Sequence, residues 1–413
     1  MTSRGRGHVA AMTAGALIWG SLAACGSGAR DAGPGEPATV HWYVAEASRY
    51  AALARTCSDD SGGDYRLELV EAPLDPSERR VDLLQRLRTG DDLDVVGLDT
   101  ALVAEVAATG LLADLSDGEV DDLTQGRTAA SVDAVTVEGD VVAAPWTYEP
   151  QVLFHRGSSG ERAGLDMTAP VTWDRLSAGA ALIGGSLQVA GSTTDWVRAL
   201  VVGATGETAL DLDDLVAALG GEAGEAAGSV VRTYAASVVG SGPSPDAAAS
   251  FAAPGGAFLV GPVSLRRSPE LAPVLGELQI APYPMVSASS GVSRSPLAGT
   301  ALALTRSAQE DTALEAISCL TAAPAQATLV AGTGRLPTLT EVLGSTEVAE
   351  ALGDDVQVVV EALAEGIAEP VSPDLHLLTA AIEATWEPVT DVRPDTPVDS
   401  SREARRLLDG GLA

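Results

Sequence analysis

Seven residues of this chain combine carboxylates with aromatic rings: Glu46, Asp99, Trp146, Tyr148, Glu149, Asp195 and Trp196. Carboxylates accept hydrogen bonds from hydroxyls, and ring faces cover the apolar side of a small ligand, so this set suits holding a molecule rather than converting it. Each residue also has a plainer role open to it. Asp99 ends an apolar strand, where open α/β sheets bind ligands, or it caps the helix that follows. Glu46 ends the first strand, or is a solvated acid in a first helical turn. Trp146 and Tyr148 stack on a ligand, or pack in a core beside Pro145. Glu149 is the sharper candidate, because a carboxylate just after an apolar strand needs a reason to be there. Asp195 and Trp196 are placed in a second ligand-facing wall.

Catalytic chemistry finds little purchase. His41, His155 and His376 stand at no metal-ligand spacing, and no G-x-S-x-G elbow occurs. The chain has no lysine, so Walker-type phosphate loops, pyridoxal Schiff bases and kinase chemistry are excluded. With 57 acidic residues, pairs of carboxylates arise by chance and give a glycosidase no specific support. Asp114–Asp122 is acidic but lacks calcium-loop spacing and reads as a solvated turn. No catalytic residue, metal or cofactor is expected.

At the amino terminus Arg4 and Arg6 precede an apolar run that ends in Leu22-Ala-Ala-Cys25. A basic start, a short apolar core and a small-residue cleavage site mark an export signal over 1–24. Leu22-Ala-Ala-Cys25 has the form of a bacterial lipobox, which predicts acylation of Cys25 and anchoring to the outer face of the membrane. Residues 25–38, rich in Gly and Pro, then form a flexible tether. Cys57 and Cys319 remain, either as a disulfide in an oxidising compartment or as two separate buried thiols.

The 413 residues carry 46% hydrophobic but only 4% aromatic content, so cores must be built mainly from Ala, Val and Leu. A net charge of −32 repels nucleic acid. Strand-like runs at Thr39–Val44, Tyr65–Val70 and Leu93–Leu98 alternate with helical patterns at Arg49–Cys57, Pro76–Arg88 and Ala101–Ala108. That alternation implies parallel βαβ units. Val135–Ala143 reads as a hairpin around a Gly-Asp turn. Thr172 is a plausible cap for the helix beyond it, and Gly203–Gly228 reads as loop. Phe258–Val260 and Leu302–Leu304 read as buried strands returning to the first region. A helix over Ala308–Leu320 carries Cys319, and the tail from Val356 to Leu408 is helical with breaks at Pro370, Pro373 and Pro388.

Several stretches, in this order, resemble the solute-binding lipoproteins of ABC sugar importers. They are Leu93–Asp99, Ala143–Arg156, Pro170–Leu176, Ala281–Pro284, Leu297–Ala303, and Cys319–Gln326 with Gly334–Thr338. The likeness is strongest to the trehalose-binding lipoproteins of that group, which carry cysteines at the positions of Cys57 and Cys319 and so imply a bridge between them. The resemblance implies an α/β, two-lobe periplasmic-binding-protein-like fold of type II, its discontinuous lobes joined by hinge crossings near 146–150, 256–262 and 333–338. An amino-terminal lobe would comprise 39–147 plus 260–334, and a carboxy-terminal lobe 148–259 plus 335–413. The implied partners are a small solute, of mono-, di- or oligosaccharide type by family analogy, and ABC permease subunits. A ligand sensor or interaction protein on the same scaffold, without a transport role, is the second reading. The chain departs from the family pattern at Gly261–Ser264, where a tryptophan is usual. It also departs at Glu149 (asparagine), at Thr340 (arginine) and at Leu102 (often aromatic).

Overall fold

The computed structural model describes residues 37–207, 210–237, 242–287 and 293–410. The expected signal, Cys25 and the tether as far as Glu36 lie outside the described residues. Pro37–Ala413 form one compact unit. Its strands are β1 (Ala38–Ala45), β2 (Tyr65–Ala72), β3 (Val95–Asp99), β4 (Thr136–Val137), β5 (Asp140–Val141), β6 (Ala144–Arg156), β7 (Ser186–Val189), β8 (Gly256–Pro262), β9 (Leu278–Ala281), β10 (Pro296–Leu304) and β11 (Ile367–Ala368). Apart from the β4–β5 hairpin they share one sheet in the order β2-β1-β3-β10-β6-β8-β7, with β9 also on β6 and β11 on β10.

β6 makes two half-sheets of it. Its first half, Ala144–Pro150, runs antiparallel to β10. Its second half pairs with β8 from Gln151 and with β9 from Leu153. Pro150 sits where the partner changes; having no N–H, it removes no ladder bond that either neighbour needs. Gly299 of β10 faces the same strand so closely that a Cβ there would lie 1.9 Å from the Thr147 carbonyl oxygen. Only glycine permits that approach.

In the first half-sheet β1 runs parallel to β2 and β3, and the alternation of a strand divides its side chains between two cores. Trp42 goes to one face with Tyr50, Cys57, Trp146, Leu302 and Ile317. Tyr43 goes to the other with Leu83, Val96, Leu98 and Ala301. Both rings are therefore buried, on opposite faces. The helix Pro76–Thr89 covers the Tyr43 face. Asp75 caps its start by accepting from Glu78 N at 2.9 Å, and Gly90 ends it at φ 73°. The hairpin forms with Glu138 and Gly139 at the turn, both at positive φ, one residue earlier than expected.

The second half-sheet has its own two faces. Leu153, Leu187, Val189 and Phe258 meet Trp173, Trp196 and Tyr234 on one. Val152, Phe154, Leu259, Val263 and Leu271 share the other. Thr172 does cap the helix Trp173–Leu182, accepting from Arg175 N. Three expectations change here. Phe258–Val260 belongs to β8 of this second half rather than returning to the first, so 256–262 is no crossing. β9 pairs with β6, and Val263–Ile280 pack with the second half, although 260–334 was grouped with the amino-terminal lobe. The stretch read as loop, 203–228, is largely the helices Leu212–Leu219 and Glu222–Ser237. Its glycines serve close packing: a Cβ on Gly224 would sit 1.8 Å from the Leu219 carbonyl oxygen.

Candidate functional site

The carboxyl ends of parallel strands expose unpaired backbone and the starts of helices, which is where open α/β sheets gather ligands. Here the ends of β1 and β8 are brought together by two crossings between the half-sheets. Glu46 follows β1 at φ 54°, a left-handed conformation uncommon for a side chain without local hydrogen-bonding help. It makes no helix-capping bond; its carboxylate instead accepts from Arg49 Nη1 and Arg335 Nη2, each at 3.1 Å. Arg49 also donates to the Thr333 carbonyl at 3.1 Å. Glu149, on β6, accepts from the Ser264 backbone N–H at 2.9 Å and from its hydroxyl at 3.0 Å. Its Oε1 lies 3.9 Å from Arg335 Nη1. Arg335 thus stands between two carboxylates from different parts of the fold.

Burial and charge act against each other in this group. Burial alone would raise the Glu46 carboxyl, but Arg335 and Arg49 outweigh it and hold it below the usual range. Glu149 is only 6% exposed, and its burial wins over Arg335 and the Ser264 bonds, pushing its carboxyl up. Burial would lower Arg335, yet Tyr50, Glu149 and Glu46 together drive it upward, so it stays charged.

A second group gathers past β3 and β7. Asp99 ends β3 at a cap position but makes no capping bond; Arg79 holds its Oδ2 with Nη2 at 2.7 Å and Nε at 3.3 Å. Arg198 donates to Asp195 Oδ1 at 2.6 Å and also to Glu369. Burial pushes Glu369 up, Arg198 pulls it down, and the charges of Asp195 and Asp99 add to the rise. That influence places Asp99, from the first half-sheet, in the field of a pair from the second.

The predicted carboxylates therefore split into two charged groups, Glu46 with Glu149 and Asp99 with Asp195. The predicted rings do not join them as stacking faces. Trp146 is a core residue at 1% exposure; its ring lies 5.4 Å from Trp42 and 5.1 Å from Tyr50, and its Nε1 donates to Leu320 O. Trp196 is packed between Trp173 and Tyr234 in the second core. Tyr148 is buried against Ala134 and Leu297, its hydroxyl without a partner among the described residues. Low aromatic content makes each ring too valuable to the cores to be spared for a surface.

The arginines were missed as site residues. An arginine was sought after Leu336-Pro337, at Thr340, whereas the guanidinium comes from Arg335, just before that pair. Arg49 and Arg198 stand three positions from Glu46 and Asp195 and so were open to notice as helix-spaced ion pairs. Arg79 and Glu369 carried no local signal, because their partners lie 20 and 171 positions away. Gln326 and Thr338, noted only as parts of a motif, turn out to bind the crossings. Gln326 donates to Trp146 O at 2.8 Å and accepts from the backbone N–H of Thr338 and Leu339, both at 3.1 Å. Thr338 Oγ1 donates to Pro145 O at 3.0 Å.

Cys57 and Cys319 form the disulfide, joining the helices Ala47–Asp60 and Glu310–Thr321 beside the first half-sheet. Asp114–Asp122 contributes a helix start in which Ser116 and Glu119 make a reciprocal capping box.

The bacterial extracellular solute-binding protein family matches residues 52–353. The chain belongs to that family. Solved structures share the two-lobe fold of these solute-binding proteins at low identity. The GacH receptor of Streptomyces glaucescens, solved unliganded and with acarbose, superposes with a TM-score of 0.75 at 20% identity, over 91% of this chain and 98% of that one. A solute-binding protein of Thermotoga lettingae bound to α-D-tagatose gives 0.75 at 19%, over 92% and 100%. UgpB of Mycobacterium tuberculosis, in complex with glycerophosphocholine, gives 0.73 at 19%, over 91% and 99%. Family members and these neighbours are binding proteins.

Proposed function

We propose that this solute-binding protein is the exported capture component of an ABC importer. It takes a carbohydrate between its two lobes and delivers it to a permease. The observation that carries the reading is the Glu46–Arg335–Glu149–Ser264 group, in which two strand ends and two crossings supply convergent hydrogen-bonding side chains. The proteins it resembles in fold have been captured with acarbose, maltose and tagatose. Lobe closure about the crossings would trap the solute.

The lobes are proposed to divide at 39–149 plus 297–334 and 150–296 plus 335–410, following strand pairing and core membership. Glu46, Asp99, Glu149 and Asp195, with Arg335 and Arg198, are the proposed contact residues. Acylation at Cys25 would tether the protein to the outer face of the membrane. The transport role is favoured over the sensor reading by the family match. Isothermal titration and thermal-shift screening of the purified chain against sugars test it: a saturable sugar ligand supports the reading, and none across mono-, di- and oligosaccharides overturns it. Mass spectrometry of the mature amino terminus tests the anchor, where a diacylglyceryl-modified Cys25 is expected.

A further inference from the structure

We infer that the cleft takes a small, uncharged, polyhydroxylated solute, a single sugar ring or a linear polyol, held by paired carboxylates and guanidinium groups without an aromatic platform. This rests on the carbohydrate reading above and narrows it.

The first observation concerns the rings. No Trp, Tyr or Phe among the described residues is more than 3% exposed. Trp42, Tyr50 and Trp146 pack on one another in the first half, and Trp173, Trp196, Tyr234 and Tyr283 do so in the second. A chain of sugar rings gains much of its affinity by laying apolar faces on aromatic side chains. Here no face is left for it. The end of β8 offers no substitute. A Cβ on Gly261 would meet Leu265 Cδ1 at 2.7 Å and Ala190 Cβ at 2.9 Å; Val263 is buried, and Ser264 is committed to Glu149.

The second observation concerns charge. Glu46 and Glu149 face Arg335, Asp99 faces Arg79, and Asp195 faces Arg198. Arg49 adds a second cation at Glu46, while Asp195 shares Arg198 with Glu369. Every one of these guanidinium groups is already taken by carboxylate, so an anionic solute would find no free cation to offset its own desolvation. A hydroxyl is donor and acceptor at once, and a carboxylate beside a guanidinium answers both halves. The third observation is that Nε of Arg335 and Nε of Arg198 are enclosed yet have no hydrogen-bond partner among the described residues. Enclosed donors of this kind are normally satisfied, and a ligand hydroxyl oxygen would satisfy them.

The test is calorimetric titration of the purified full chain with D-tagatose, D-glucose, sorbitol, maltotriose and glycerophosphocholine. At least one of the hexoses or the hexitol is expected to bind, with maltotriose and glycerophosphocholine weaker by about a hundredfold or more. Arg335→Met should then weaken that binding about tenfold or more, with Arg335→Lys recovering part of it. Circular dichroism of each variant confirms that it is folded; if Arg335→Met is not, Arg335→Lys and Arg198→Lys carry the comparison, each expected to weaken binding. Preferential binding of maltotriose would overturn this inference and leave the carbohydrate reading standing. Preferential binding of glycerophosphocholine would overturn the uncharged class, and binding of no sugar or polyol would remove the reading beneath it as well.

Discussion

Arg335 Nη1 and Glu149 Oε1 lie 3.9 Å apart although 186 positions separate them, one in the 333–338 stretch and one on β6. The same guanidinium holds Glu46 at 3.1 Å. Removing it strands a carboxylate that is almost wholly enclosed. Arg335→Met is expected to lower stability by about 2 kcal/mol, below the range for a fully buried pair because Arg335 keeps 29% side-chain exposure. Adding Glu149→Gln to that variant should recover part of the loss, which a double-mutant cycle in urea would read.

The two carboxylates on Arg335 should respond to pH with opposite signs. Glu46 titrates lower in the folded chain than unfolded, so its contribution is present above the unfolded value and lost as pH falls through the folded one. Glu149 titrates higher when folded, so its ionised form carries a penalty above the folded value that is relieved on acidification. Between about pH 4 and pH 7 the stability of wild type relative to Glu46→Gln should therefore rise. Relative to Glu149→Gln it should fall. Chemical denaturation of the three proteins across that interval decides it; parallel slopes would refute the assignment.

The Cys57–Cys319 bond spans 262 positions, for which chain-entropy reasoning sets a ceiling of about 5 kcal/mol. Cys57→Ala with Cys319→Ala should cost about 2–5 kcal/mol of stability, seen as a lower melting temperature that reductant no longer shifts. Solute affinity should be unchanged, since both cysteines sit behind one half-sheet.

Gln326 is fully buried and its amide serves three backbone groups from two crossings. Gln326→Leu keeps the volume and leaves Trp146 O and two N–H groups without this partner. A loss of about 3 kcal/mol is expected, with an unchanged denaturant slope. A loss under 1 kcal/mol would show that water replaces the amide.

Much of the fold was legible along the chain. The β1–β3 region announces itself because strand and helix periods alternate there with conventional starts, such as Asp75 and Pro76, and conventional stops, such as Gly90. The disulfide was legible only through likeness to a family, since two cysteines alone also permit free thiols. What escaped was set by contacts between distant segments. Glycines at 224 and 228 looked like looseness, yet they are there because helices touch. β8 looked like a return strand because a short apolar run carries no label for its neighbour. At the site, Glu46, Asp99, Glu149 and Asp195 were visible as carboxylates at strand ends or helix starts. Arg335 and Arg198 were not, because a surface arginine and one locked between carboxylates have the same letter. Trp146 and Trp196 misled for a related reason: an aromatic residue beside a crossing is equally suited to a core that has few others.

Gln326 reaches the backbone on both sides of the join, at Trp146 and at Thr338 and Leu339, and Thr338 reaches back to Pro145. The two spans are stapled together as leaves on a single pin. In the proposed closure, a swing of one body against the other would carry both spans together, so the gape would be set by one shared bend rather than by two.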